Sequence, residues 1–346
     1  MSRHMIDKLA AGETLTRQEL KALIADDSRE TAACLAFRAD QVREQIYGRK
    51  IFIRGLIEFT NYCKNDCYYC GIRRGNNTVS RYRLSEEQIL DCCKKGYQLG
   101  FRTFVLQGGE DPWWTDEKLC QVVRAIRCGY PDCAITLSVG ERSRESYQKL
   151  YDAGADRYLL RHETANPAHY SKLHPKTLTL QHRLACLRAL KEIGFQTGCG
   201  FMVGSPYQTV DHLIDDLCFI RDFKPQMVGI GPFLPAVNTP FEGEPAGSSE
   251  LTIKLLSIVR LMHPHVLLPA TTALGTAKED GREKGILAGA NVIMPNLSPL
   301  DVREKYLLYD GKIATGDEAA ESIRHLTASM EKIGYEIVTA RGDYQI

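Results

Sequence analysis

The chain has 346 residues, enough for two ordinary domains or one large α/β barrel, and a hydrophobic share of 44% permits a substantial core. Lys and Arg (44) almost cancel Asp and Glu (43), and the net charge of +1 argues against a charge-driven partnership with nucleic acid or an anionic membrane and for a small solute. Twelve cysteines, with neither a secretory leader nor a run of ~18 apolar residues, point to a reducing cytoplasm and disfavour a membrane span.

In chain order, residues 5–47 carry apolar side chains at helical spacing, as in Leu20, Leu23 and Ile24 and again in Cys34, Leu35 and Phe37. With Thr16 and Asp27 as expected caps, they predict a helical extension over 1–48 that covers one end of the main domain. An apolar run at 51–59 predicts the first strand. Its end delivers Cys63-Lys64-Asn65-Asp66-Cys67-Tyr68-Tyr69-Cys70, followed by a basic stretch, Arg73-Arg74-Gly75-Asn76-Asn77. Beyond it, helices predicted at 85–99, 115–127, 143–153, 179–193 and 210–223 alternate with strands at 103–107, 134–138, 157–161, 196–203 and 227–231. Two more strands are expected at 266–268 and 291–294, with a short helix at 283–288 between them and a terminal helix at 317–333. Eight strand candidates with intervening helices predict an α/β fold, a (β/α)8 TIM-type barrel over 49–310, with a helical cap at 311–346. No low-complexity segment or linker divides the barrel.

Three thiols spaced C-x3-C-x2-C are soft ligands for an iron–sulfur cluster or zinc, but a closed structural site needs a fourth ligand and no fourth cysteine stands in register. Three thiolates on a four-iron cluster leave one iron open to a small molecule, as a catalytic centre requires. Zinc and scattered buried cysteines are the plainer alternatives, and most of the other nine cysteines read as small hydrophobes in helices.

In such a barrel the reacting groups gather at the carboxyl ends of the strands. Gln107-Gly108-Gly109-Glu110 ends the second strand, where paired glycines let a ligand approach the backbone, although a tight turn explains them as well. Ser138 ends the third, as a cap or a ligand contact, ahead of Gly140 and Glu141. On the fourth, Arg157, Leu159, Arg161 and Glu163 share one face. If that face turns inward, its charges must pair with one another or with an anionic ligand, because unpaired burial is costly. Arg183 opens a helix, Met202 ends a strand, and Thr271 and Thr272 end the seventh. Met294 ends the eighth, and Tyr306 and Tyr309 follow in the closing segment, residue types more often core or rim than catalytic.

The cysteine loop, with aromatic Tyr69 directly before its last cysteine, resembles the CxxxCΦxC signature of radical S-adenosylmethionine (SAM) enzymes. Gly108-Gly109-Glu110 resembles the GGE motif that binds the methionyl amino group of SAM in that superfamily. Longer phrases at 54–70, 105–112, 157–167, 227–233, 269–276 and 291–296 are similar to the HydE family of FeFe-hydrogenase maturases. The resemblance implies one 4Fe-4S cluster on Cys63, Cys67 and Cys70, with SAM completing the unique iron. It implies Tyr69, Gly108, Gly109, Glu110, Ser138, Glu163, Arg183, Met202 and Met227 on the cofactor side. Arg54, Arg157, Arg161, Thr271, Thr272, Met294 and Tyr306 would line an anion-friendly substrate cavity.

The implied reaction is reductive cleavage of SAM to a 5'-deoxyadenosyl radical that acts on an iron-cysteine species carrying carbon monoxide and cyanide. Implied partners are the maturases HydG and HydF and a low-potential electron donor such as ferredoxin or flavodoxin. No cysteine follows Cys218, so the second cluster that some relatives carry near the carboxyl terminus is not expected, and Gly108 stands where some relatives have serine. Methylornithine synthase is the nearest alternative. Biotin synthase would need further strand-end cysteines, for which Cys133 and Cys199 are poor candidates, and a non-catalytic iron–sulfur carrier is the alternative from another class.

Overall fold

The structure, a computed structural model, describes residues 1–313 and 319–345. Three helices come first, α1 (Ser2–Ala10), α2 (Arg17–Ala25) and α3 (Arg29–Tyr47). Thr16 caps α2 in a capping box with Glu19, as expected, but α3 is capped by Ser28 and not by Asp27. The Ser28 hydroxyl is the group within reach of the Thr31 amide, while Asp27 faces Lys254 at 3.0 Å.

The expected strand at 51–59 divides at Arg54 into β1 (Lys50–Ile53) and β2 (Gly55–Thr60). The alternation then runs α4 (Glu86–Gln98), β3 (Thr103–Gly108), α5 (Asp116–Gly129), β4 (Ala134–Ser138), α6 (Arg144–Asp152) and β5 (Arg157–Leu159). It continues through α7 (Pro167–Leu173), α8 (Leu180–Ile193), β6 (Gln196–Cys199), β7 (Met202–Val203), α9 (Val210–Phe223), β8 (Met227–Val228), β9 (Gly231–Pro232) and α10 (Ser249–Met262). The last third holds α11 (Thr272–Ala277), α12 (Gly281–Leu287), β10 (Val292–Ile293), α13 (Leu300–Arg303), α14 (Ala319–Lys332) and β11 (Glu336–Val338). The terminal helix was expected from Asp317, which lies outside the described residues.

Six strands form one parallel sheet in the order β2-β3-β4-β5-β6-β8. The seventh stave, at 266–269, is joined by single bridges, Leu267 to Met227 and Pro269 to Val292, rather than as a full strand. β10 then pairs parallel with β1, which leads into β2, so the ring closes as an eight-stave α/β barrel. β1 and β2 are separate because they serve different neighbours: β2 pairs with β3, and β1 with β10 and, on its other side, β11.

Helices cover the ring by their apolar stripes, as in α5, where Leu119, Val122, Val123 and Ile126 are buried at i, i+3, i+4 and i+7. The opening helices pack on this outer layer, α3 and α1 against α10 and α2 against α9.

Candidate active site

Amides of the loop leaving β2 find backbone carbonyls, and Arg81 takes up carbonyls of the same loop. Its guanidinium donates to the carbonyls of Asn61 (2.5 Å), Ile72 (2.8 Å), Arg73 (2.7 Å) and Asn76 (3.1 Å). That fork satisfies four acceptors that no helix or strand takes up. Asp66 adds a second tie, to Arg73 at 2.8 Å and to the Gly75 amide at 2.9 Å.

So held, Cys63, Cys67 and Cys70 all face a cavity of about 280 Å³ at the barrel mouth. Among the described residues no three His, Cys, Asp or Glu side chains converge as a single metal ion requires. Ligands of one zinc share a centre ~2.3 Å from each sulfur, whereas the cysteines of a cluster each take their own iron. Shared exposure to one cavity suits a cluster, whose cysteines each take their own iron. Burial pushes all three thiols up, Cys70 to about 12, and metal coordination is what offsets the cost of the buried thiolates.

The second strand meets this loop at its glycines. A Cβ on Gly109 would lie 2.2 Å from the Tyr62 carbonyl oxygen and 2.8 Å from the Cys63 Cβ, so only glycine lets the loop back onto the strand end. Glu110 accepts from the Glu141 amide at 2.9 Å and lies 3.3 Å from the Lys64 ammonium. Gly140, at φ +77°, leaves the room that the Glu110 side chain fills.

From there an ionic chain crosses the cavity wall. Arg183, from α8, sits 2.5 Å from Glu141 and donates to the Arg161 carbonyl at 3.1 Å, and Arg161 lies 3.1 Å from Glu163. Glu163 is a non-glycine residue at φ +65°. Beneath it His162 accepts from the Gly200 amide (3.3 Å) on Nδ1, so its Nε2–H faces Asp216 at 3.2 Å. Asp216 also accepts from the Ala165 amide at 2.5 Å. Burial holds His162 down at about 3 and pushes Asp216 well above the carboxylate range.

Tyr69, Gly108, Ser138, Met202 and Tyr306 join these residues around the cavity. Tyr306 arrives on a closing segment, which is pinned by Lys312 at 2.5 Å from Glu58 and by the Gly71 amide donating to Leu308. Sequence reasoning did not single out Phe233, Leu234, Ala273 and Leu308, which also line it, nor Arg81 and Lys64. A serviceable signal existed only for Arg81, a cation shortly after a cysteine loop.

Six expected residues lie elsewhere. Arg157 begins β5, and four residues at ~3.3 Å each put it ~13 Å below Arg161, at the floor. There it is fully buried, 2.6 Å from Asp343, and donates to the carbonyls of Arg341 (2.9 Å) and Gly342 (3.1 Å). Arg54 donates to the Met227 sulfur at 3.1 Å, while its Nε and Nη2 have no protein partner. Burial, and then the Arg157 charge, hold its pKa well down.

Met227 begins β8 and packs low with Tyr47, Phe52, Leu267 and Val292, and Met294 packs against the same group. Thr271 caps α11 by accepting from the Leu274 amide at 3.3 Å, and Thr272 lies within that helix. The next residue, Ala273, is the one that reaches the cavity.

A sequence profile described as the radical SAM superfamily matches residues 57–220. The chain is 43% identical to the [FeFe] hydrogenase maturase subunit HydE of Thermotoga maritima, over 96% of this chain and 94% of that protein. It is 29% identical to the 3-methylornithine synthase of Methanosarcina acetivorans, over 95% of this chain and 92% of the relative. A crystal structure of methylornithine synthase (PylB) superimposes with a TM-score of 0.86 at 29% identity, covering 96% of this chain and 97% of the other.

Proposed function

The chain belongs to the HydE family of radical SAM enzymes, which use a 4Fe-4S cluster and SAM, and from that premise we propose its substrate and the roles of its residues. The substrate is an anionic iron-cysteine complex carrying carbon monoxide and cyanide, on the route to the hydrogenase di-iron site. Its maturase partners are HydG and HydF, and the setting is the cytoplasm. No helix among the described residues is long and apolar enough to cross a membrane.

When bound, the cluster supplies an electron to SAM, and the cleavage yields the 5'-deoxyadenosyl radical. Cys63, Cys67 and Cys70 would hold the cluster, and the Glu110–Glu141–Arg183–Arg161–Glu163 chain, with Tyr69, Ser138 and Met202, would orient SAM. The barrel excludes the water and exposed protein that a primary-carbon radical would otherwise attack. The carrying observation is Arg54, 5% exposed, outside the lining of the thiol cavity and beside Met227, with two guanidinium nitrogens unclaimed by protein, donors that suit an anion reaching deeper into the barrel than that cavity. The barrel at 49–310 does this work, with the extensions at 1–48 and 311–346 as supports.

Anaerobic reconstitution with reductant and SAM tests the reading. Arg54→Met is expected to keep uncoupled 5'-deoxyadenosine formation and to lose turnover of the iron complex by roughly tenfold or more, the weight of one charge-assisted contact. Equal loss of both would contradict the substrate-side placement.

A second reading, lysine rearrangement to methylornithine, is favoured by the TM-score of 0.86 and by the ability of Arg54 to take an amino-acid carboxylate. Methylornithine formed from lysine would establish it.

A further inference from the structure

Between Glu163 and Glu192 the chain carries no carboxylate at all, although the whole protein is almost neutral. This stretch spans α7 and α8, and the cleft between them, about 750 Å³, is lined by residues of this stretch alone. Of its cations, Arg183 turns inward to Glu141 and Lys191 is taken up by the carbonyls of Phe223 and Lys224. Lys172, Lys176 and Arg188 remain exposed, and none has a carboxylate partner among the described residues. Tyr207, 61% exposed, stands beside Lys172, whose ammonium lies 5.6 Å from the ring centre.

The back wall of this cleft is the cysteine loop's own support. The Tyr68 amide donates to the Leu173 carbonyl at 3.0 Å. Tyr69, between two of the thiols in sequence, donates its hydroxyl hydrogen to His174 Nε2 at 3.2 Å, because His174 Nδ1 carries its proton toward the Tyr170 carbonyl at 3.0 Å. The His174 ring stacks on Tyr170 at 3.9 Å, and both rings line the cleft. One layer of aromatic side chains therefore separates the outer surface from the cavity that holds the thiols.

We propose that the face presented by this carboxylate-free stretch is the docking surface for an acidic one-electron carrier protein, of the flavodoxin or ferredoxin kind, whose electron reaches the cysteine loop through Tyr69, His174 and Tyr170. The proposal rests on the reading that those cysteines hold the cluster. The carrier is oxidised by one electron and the cluster reduced by one, with no bond made or broken between them. Charge complementarity gives the encounter its rate and orientation, and the exposed tyrosine supplies an aromatic contact at the rim.

The test uses the reconstituted full chain and a flavodoxin of net negative charge, with binding measured by calorimetry. The triple variant Lys172→Glu, Lys176→Glu, Arg188→Glu is expected to weaken binding tenfold or more and to slow flavodoxin-driven 5'-deoxyadenosine formation, while dithionite-driven formation stays as in the wild type. Raised salt should weaken wild-type binding in the same direction. Unchanged affinity in the variant, or equal loss with dithionite, would overturn the docking surface. Absence of dithionite-driven product in the wild type would instead count against the cluster reading, and the affinity comparison would still decide the surface.

Discussion

Glu163 is where the site stores local strain. A bulky residue at φ +65° costs about 1–3 kcal/mol and persists only where its surroundings over-determine it. Here those surroundings are the His162–Asp216 pair and the amides of Gly200 and Ala165. Asp216→Ala is therefore expected to weaken SAM binding about tenfold, with iron content unchanged, when SAM is titrated against the spectrum of the reduced cluster. A parallel fall in iron content would show that the pair supports the whole mouth and not the placement of Glu163.

The same strand marks the limit of what was legible residue by residue. Alternation predicted one face for Arg157, Arg161 and Glu163, but β5 ends at Leu159, Glu163 leaves the extended region, and a period of two says nothing of depth. The partner that settles Arg157, Asp343, stands nearly two hundred positions away in a tail with no periodic signal. Motifs carried the rest: the thiols, Gly108, Gly109, Glu110, Arg161, Glu163 and Arg183 do share one cavity.

Elements were legible where one face is polar. The amphipathic helices and the central strands fell where their periods put them, but α10 escaped notice because it is buried on most sides, including Lys254 and Arg260, and so shows no polar stripe. β11 escaped because it is three residues long and is defined by pairing with β1 alone. The cysteine loop, by contrast, has no period and depends on side-chain ties. Arg81→Met would strand the carbonyls of Asn61, Ile72 and Asn76, and the expected result is that less than about half the wild-type iron is retained after reconstitution, with far-UV circular dichroism unchanged. Full iron retention would mean that the loop is held by its other contacts.

At the scale of the molecule, buried neutral histidines make the fold acid-sensitive. His162 and His174 are held at about 3 by burial, well below the ~6.5 of an unfolded histidine. Their contribution is fully present above pH ~6.5 and is lost as pH falls toward 3, because the unfolded chain takes up protons that the fold refuses. At pH 5 the two together cost about 4 kcal/mol, a large share of a typical stability. The denaturant midpoint should therefore fall steadily from pH 7 to pH 5, and a flat profile would contradict the burial of these rings.

The floor adds a separate tie, since Asp343 is the carboxylate that Arg157 meets at hydrogen-bond distance. Asp343→Ala should lower the thermal midpoint while SAM cleavage continues. The central claim, a cluster held by three cysteines and completed by SAM inside the barrel, is met most directly by measuring 5'-deoxyadenosine from the reconstituted, reduced protein with SAM, alongside Cys67→Ala. The account predicts product from the wild type and none above background from the variant, and equal product from both would contradict it.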